Sequence, residues 1–205
     1  MRKKLLAGFA PLLAIAAFGL APAAAQAAPP HWFSNGVMIP PGVTEPVATS
    51  GKLTFTIHDP GVIYTIKCTV HDQDRIVNPL ETARGVLPAG EDEITTFLLG
   101  PCKAKTLCPK PTIAEVISLG LPWYSELLEG PPIRDLIKNM LFEVRCSGAF
   151  KLLIGPGGLL PLVGKSELLF EAGSGILPDS NGGTVEVSGK DKMVGPPGDE
   201  KITAA

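Results

Sequence analysis

Apolar and polar residues alternate along most of the chain, and this two-residue period predicts β-strands. In residues 52–58, leucine, phenylalanine and isoleucine occupy every second position, as expected for a strand with one buried face. The four residues Asp59-Pro60-Gly61-Val62 follow. Proline fixes φ at the first central position of a turn and glycine accepts a positive φ at the second, as a type II turn requires. The next strand, which runs through Cys68, should therefore complete a hairpin.

Further short strands are predicted between turn signals along the rest of the chain. They are Glu93–Leu99, Ile113–Leu121, Leu141–Cys146, Phe150–Ile154, Ser166–Glu171, Thr184–Ser188 and Lys192–Val194. Glycine and proline separate nearly all of them, and the chain contains 23 glycines and 21 prolines. This pattern predicts an all-β fold, either an antiparallel β-sandwich or a barrel.

One segment departs from the two-residue period. Ile133, Leu136, Ile137 and Met140 recur at helical spacing, and Pro132 suits a first helical turn. The segment predicts at most one short helix. The alternative, which the sequence leaves open, is an irregular strand that leads into residues 142–146.

The chain contains four cysteines, and an even number favours disulfides in an oxidising compartment. Cys68 and Cys146 share the apolar phase of their strands and should point inward. Cys102 and Cys108 flank a lysine-rich loop and could close it locally. We therefore predict the pairs Cys68–Cys146 and Cys102–Cys108. Zinc is disfavoured because no cysteine spacing matches a ligand pair such as C-x₂-C, and we predict no metal site.

The first 27 residues have the pattern of a signal peptide. Three basic residues precede an apolar run, and Ala25-Gln26-Ala27 matches the small-residue cleavage pattern. A membrane anchor is disfavoured, because the apolar run is short for a span of about 20 residues. We predict signal peptide 1–27, a single exported domain 28–205 with no stable membrane anchor, and a location outside the cell or in its envelope.

The predicted mature domain is mildly acidic. The chain has 18 basic and 20 acidic residues, and three of the basic ones lie in the signal, which leaves a formal charge of −5. A domain of this charge lacks the basic surface that nucleic acid requires. We predict no nucleic-acid partner.

Motifs for enzyme chemistry are absent from the sequence. His58 and His71 are not expected to converge, and the lack of any histidine after His71 excludes the usual hydrolase order for Ser174. His31 lies just behind the cleavage site. No phosphate loop, dinucleotide fingerprint or haem motif occurs, so no cofactor is predicted. Glu91-Asp92-Glu93 and residues 179–182 resemble only fragments of calcium loops. An enzyme is therefore the less favoured class.

Two aromatic pairs form the candidate binding surface. Trp32-Phe33 follows the cleavage site, and Trp123-Tyr124 is the densest aromatic segment. Tryptophan and tyrosine are enriched in binding surfaces, although packing onto the core is the more frequent fate of such pairs. The leading hypothesis is a non-catalytic binding or surface-interaction module of unknown partner and oligomeric state.

Two alternatives remain. The first is a carrier of a small apolar ligand with a leucine-lined interior, formed by Leu152, Leu153, Leu159, Leu160, Leu162, Leu168 and Leu169. The second is a secreted hydrolase that uses carboxylates such as Glu115, Glu126 or Asp135, and a strongly raised pKa in a pocket would support it.

A series of short motifs resembles one group of proteins. The motifs are His31–Gly36, Gly51–Thr54, Cys68, Asn78-Pro79, the Cys102…Cys108-Pro109 pair, Leu121-Pro122-Trp123, Ile133-Arg134 and Cys146. This series resembles uncharacterised exported proteins of soil actinobacteria of the Solirubrobacter and Conexibacter type, over most of residues 31–205. The resemblance implies export and disulfides, and it implies no particular activity.

Overall fold

The computed structural model describes residues 28–83, 87–104, 106–108, 113–147, 150–171, 174–195 and 200–205. Within these ranges the chain forms strands and no helix, which confirms the predicted all-β class. The predicted signal peptide lies outside the described residues. The strands are β1 (Trp32–Ser34), β2 (Val37–Met38), β3 (Thr44–Asp59), β4 (Val62–Val77), β5 (Glu91–Lys103), β6 (Ile113–Leu119), β7 (Trp123–Leu128), β8 (Arg134–Cys146), β9 (Lys151–Leu159), β10 (Leu162–Val163), β11 (Glu167–Phe170), β12 (Ile176–Pro178), β13 (Thr184–Gly195) and β14 (Glu200–Ala204).

The sheet closes on itself. Its antiparallel strands follow the order β11-β10-β8-β6-β5-β4-β3-β13, and β11 also pairs with β13 from Glu167–Lys192 to Phe170–Gly189. β7 bridges β5 and β8 at the end opposite the β3–β4 turn. Of the two predicted architectures, closure corresponds to the barrel, in which few strand edges remain unpaired.

The β3–β4 hairpin forms as the sequence predicts. Asp59 pairs with Val62 across the turn, and Gly61 takes a φ of 82°. The two strands continue through sixteen residues each, well beyond the predicted ends. β4 therefore carries inward-facing positions past Cys68 and Val70, and these extra positions form part of the candidate site.

Four aromatic rings fill the interior near the middle of the closed sheet. Phe55, Phe97, Trp123 and Phe142 are buried, and neighbouring ring centroids lie 5.2–5.8 Å apart. These separations are the ones that aromatic pairs prefer. The rings occupy the space that an apolar ligand would need in the middle of the closed sheet.

The segment with helical spacing is a strand. β8 runs without interruption from Arg134 to Cys146, so the alternative of an irregular strand is confirmed and the short helix does not form. Its pairing with β9 shifts register between Ile137 and Met140, where Asn139 takes a φ of 59°. A bulge here places two residues instead of one between successive inward positions, and it thereby reproduces the three-residue spacing of a helix.

The predicted disulfide pairing is wrong. The bonds join Cys68 to Cys102 and Cys108 to Cys146. Cys68 and Cys102 lie on the neighbouring strands β4 and β5, with their Cα atoms 4.1 Å apart. Cys146 ends β8 opposite Ala114 of β6, and Cys108 lies in the connection that precedes β6. The pairing therefore follows from strand order, which strand phase does not reveal.

Candidate functional site

The four aromatic residues of the predicted surface do not lie together on the outside. Trp32 and Trp123 are each about 1% exposed, so they belong to the core and cannot contact a partner. The indole N–H of Trp32 donates to the Glu91 carbonyl at 3.1 Å, and that of Trp123 donates to the Leu119 carbonyl at 3.0 Å. Phe33 is half-buried, whereas Tyr124 is 55% exposed. Of these four residues, only Tyr124 is exposed enough to act as an aromatic anchor.

Tyr124 lies among paired charges on the outer face of β4, β5, β7 and β8. Its hydroxyl donates to Glu93 Oε1 at 3.4 Å, and Arg75 Nη1 donates to Glu93 Oε2 at 3.5 Å. Lys138, opposite Tyr124 on β8, contacts Glu126 at 2.9 Å. The side chains alternate between faces along each strand, and these residues occupy the outward positions.

Two adjoining pockets occupy this face, and both include Arg75. The first, of about 450 Å³, contains Tyr124 with Glu93, Glu126 and Lys138. The second, of about 430 Å³, lies toward β3 and β13 and is lined by residues that include Gln73, Thr95, Pro46 and Ala48. We call the two pockets together the outer groove. Each has the size of a small-ligand site.

A second polar cluster lies inside the closed sheet. Asp72, Asp74, Asp92, Asp135 and Asp191 are between 1% and 6% exposed, and we call them the acid belt. They come from β4, β5, β8 and β13. Two buried hydroxyl groups complete the belt, since Thr49 lies opposite Asp72 and Ser125 lies opposite Asp92.

A glycine on β3 leaves space for the Asp191 carboxyl of the acid belt. Gly51 of β3 pairs with Asp191 of β13. A Cβ atom at position 51 would lie 2.9 Å from Asp191 Oδ1 and still closer to the backbone of β13. Glycine is therefore required where the two strands meet, and the Asp191 carboxyl can accept a hydrogen bond of 2.7 Å from Thr49.

Burial raises the pKa of all five carboxyls, and repulsion by other belt carboxylates raises it further at Asp72, Asp74 and Asp92. Burial raises the pKa of Asp135 to about 7, although the nearby Ser125 hydroxyl acts to lower it, and burial raises that of Asp191 to about 6. The pKa values of Asp72, Asp74 and Asp92 lie well above 3.8; burial is the largest cause, and neighbouring negative charges add to it. Part of the belt therefore carries protons near neutral pH.

The acid belt was missed at the level of sequence, although a signal for it exists. The inward phase of β4 runs through Ile66, Cys68 and Val70, and its continuation reaches Asp72 and Asp74. If the strand is predicted to stop at position 71, these two aspartates fall beyond it and are interpreted as solvent-exposed. Two aspartates in the buried phase of a strand were the available signal.

The other candidate residues do not form a site together. Glu115 lies opposite Arg145, at the other end of β8 from Asp135, and it is exposed. Asp135 is about 1% exposed and faces the interior. His58 and His71 pair with Ile63 and Ser50, far apart along the hairpin, as predicted.

The leucines of the second half divide between the two faces of the sheet. Leu152, Leu159 and Leu168 are buried, whereas Leu153 is 41% exposed. Leu160, Leu162 and Leu169 are half-buried. The seven side chains therefore do not surround a common interior space.

No family model, curated protein or solved structure matches this chain. Among the described residues, no three histidine, cysteine, aspartate or glutamate side chains converge as ligands for a metal ion. The same part of the chain contains no helix that is long and apolar enough to cross a membrane.

Proposed function

We propose that this protein is an exported, non-catalytic binding module whose outer groove takes a polar, hydroxyl-rich ligand such as an oligosaccharide. The observation that carries the proposal is the exposed ring of Tyr124, set among the charged side chains of Arg75, Glu93, Glu126 and Lys138. The two disulfides are compatible with an extracellular location.

The chemistry of the groove favours such a ligand over an apolar one. A pyranose ring has an apolar C–H face that stacks on tyrosine, and hydroxyl groups around its edge that bind carboxylates and guanidinium groups. Tyrosine offers a large contact area with only two side-chain torsions to order. The ion pairs of Arg75 and Lys138 are partly exposed. Exposed pairs contribute only about 0–1 kcal/mol, so they can exchange partners for ligand hydroxyls at little cost.

The interior offers less support for the two alternative functions. The aromatic rings of Phe55, Phe97, Trp123 and Phe142 fill the middle of the closed sheet, where an apolar ligand would lie. Of the three carboxylates considered for a hydrolase, Asp135 is only about 1% exposed, Glu115 lies at the other end of β8 from it, and Glu126 forms an ion pair with Lys138. The outer groove, by contrast, is open to solvent.

Affinity electrophoresis tests the proposal. The protein would be run through native gels that contain soluble xylan, mixed-linkage glucan, mannan or glycol chitin. We expect at least one polymer to retard it, and Tyr124→Ala to weaken that retardation about tenfold or more, because an aromatic anchor typically supplies about 2 kcal/mol or more. Ile176→Ala is the matched control, since Ile176 is 58% exposed on β12.

Two outcomes would contradict the proposal. One is a mobility that none of the four polymers changes. The other is retardation that Tyr124→Ala and Ile176→Ala reduce equally, which would place the contact outside the groove. A second variant, Arg75→Gln, tests the residue that both pockets share.

A further inference from the structure

The acid belt concentrates negative charge in a place that has no buried cation. Among the described residues, the buried polar and charged side chains include neither lysine nor arginine. The five aspartates equal in number the formal excess of acids in residues 28–205, which is 20 acidic against 15 basic residues. Burying an ionised carboxyl without a counterion costs several kcal/mol, and such groups take up protons instead.

The hydrogen bonding of the belt indicates missing donors. One carboxyl oxygen each of Asp72, Asp74, Asp92 and Asp191 is buried without a hydrogen-bond partner, and so are both oxygens of Asp135. Ser125 Oγ, in a side chain that is about 4% exposed, faces the belt and also lacks a partner of normal geometry. A protonated carboxyl supplies an O–H donor to a neighbouring carboxyl, so protons would satisfy several of these atoms at once.

We propose that the acid belt binds protons in place of a cation, so that the closed sheet is most stable in mildly acidic solution and loosens as the belt ionises. Protons fit the geometry, because the carboxyls lie near enough to repel one another and yet do not converge as metal ligands among the described residues.

The sign and size of the effect follow from Asp135. Below its ordinary pKa of 3.8, the folded and the unfolded chain both hold the proton, and stability is at its full value. Between pH 3.8 and about 7 the unfolded chain releases the proton while the folded chain keeps it, so stability falls. Across that window the folding equilibrium changes about a thousand-fold from this group alone. Asp191, with a pKa of about 6, acts in the same direction.

The groups around the belt adjust this effect without reversing it. Glu93 and Glu126 on the outer face add negative potential at Asp92 and Asp135, whereas exposed His71 favours the ionised form of Asp191. Glu45 of β3 is half-buried, in the same phase as Thr49. Away from the belt, Arg145 lowers the pKa of half-buried Glu143, which opposes the belt only in stronger acid.

Thermal unfolding followed by circular dichroism from pH 4 to pH 8 tests the proposal, on protein with both disulfides intact and with chelator present. We expect the melting temperature to fall by roughly 10 °C or more across this range, given about 2–4 °C per kcal/mol for a domain of this size. Asp135→Asn cannot ionise, so it should melt higher than the natural protein at pH 8 and show a flatter pH profile. Glu115→Gln, whose side chain is 67% exposed, is the control and should leave the profile unchanged.

A second measurement localises the effect. Hydrogen exchange, corrected for its intrinsic pH dependence, should show β4, β5 and the neighbouring part of β13 losing protection before β9 and β12 as pH rises. A melting temperature that is flat or rises from pH 4 to pH 8 would overturn the proposal. So would 1 mM calcium or magnesium restoring the melting temperature at pH 8, since the belt would then be a metal site. If Asp135→Asn does not fold, Asp72→Asn takes its place, and the profile of the natural protein still decides.

Discussion

Asn78 provides the sharpest test of how the N-terminal segment is held to the sheet. Its side chain is fully buried in the loop after β4. Asn78 Oδ1 accepts from the Trp32 N–H at 2.7 Å, and Nδ2 donates to the carbonyls of Trp32 and Ile39 at 2.9 and 2.8 Å. One amide therefore fixes both β1 and the residue that follows β2.

The cost of Asn78→Ala follows from the groups that the substitution would leave unpaired. The Trp32 carbonyl would still accept from the Ile39 N–H at 3.0 Å. The Trp32 N–H and the Ile39 carbonyl would lose their partners, and each buried orphan costs about 1–3 kcal/mol. We therefore expect the free energy of unfolding to fall by about 3 kcal/mol, a large part of the typical total of about 5–15 kcal/mol.

Urea unfolding followed by tryptophan fluorescence measures this loss. Asn78→Asp is the matched variant, because it keeps the volume and one acceptor but turns a carboxyl oxygen toward two carbonyls, and it should be at least as unstable. Asn181→Ala, at an exposed turn position, should change stability by less than about 0.5 kcal/mol. A loss below about 1 kcal/mol for Asn78→Ala would refute the reasoning, since it would mean that water or a local shift satisfies both groups.

Two further predictions concern the covalent framework and the core. Tryptic digestion without reductant should release Cys68 linked to the peptide of Cys102, and Cys108 linked to that of Cys146. A Cys68–Cys146 peptide would contradict the strand order. Replacing both Cys68 and Cys102 by serine should lower the free energy of unfolding in urea by about 3–4 kcal/mol, because their separation of 34 residues closes a long loop. Phe142→Ala should cost about 3–5 kcal/mol by the same measurement, since Phe142 contacts three other aromatic rings, and a loss below about 2 kcal/mol would show that the cluster closes over the gap.

The fold class followed from sequence because its signals are local. The phase of Leu53, Phe55 and Ile57 shows which face of β3 is buried, and Pro60-Gly61 marks the turn beside it. Strand phase also assigns Cys68 and Cys146 to the interior, where the structure places both. Each of these features depends on residues within a few positions of one another.

The features that could not be predicted depend on strand neighbours. Cys68 bonds Cys102 because β4 and β5 are adjacent, and phase alone treats every inward cysteine as an equal partner. The bulge at Asn139 changes the period of β8 over a single residue, and a one-residue shift inverts which side chains face inward. Tyr124 and Trp123 have opposite fates for the same reason, since successive residues of β7 face opposite sides of the sheet.

This alternation also explains why the two candidate sites share their strands. On β4 buried Asp74 precedes exposed Arg75, on β5 Asp92 precedes Glu93, and on β7 exposed Tyr124 precedes buried Ser125. The spacing of β4, β5 and β7 therefore sets the separation of the belt carboxyls and the shape of the outer groove together. Repulsion within an ionised belt would separate the same strands that present Tyr124 and Arg75. A ligand that spans the groove would favour the arrangement in which β4, β5 and β7 lie close together. It would thereby strengthen proton binding by the acid belt, because coupling between two sites is reciprocal.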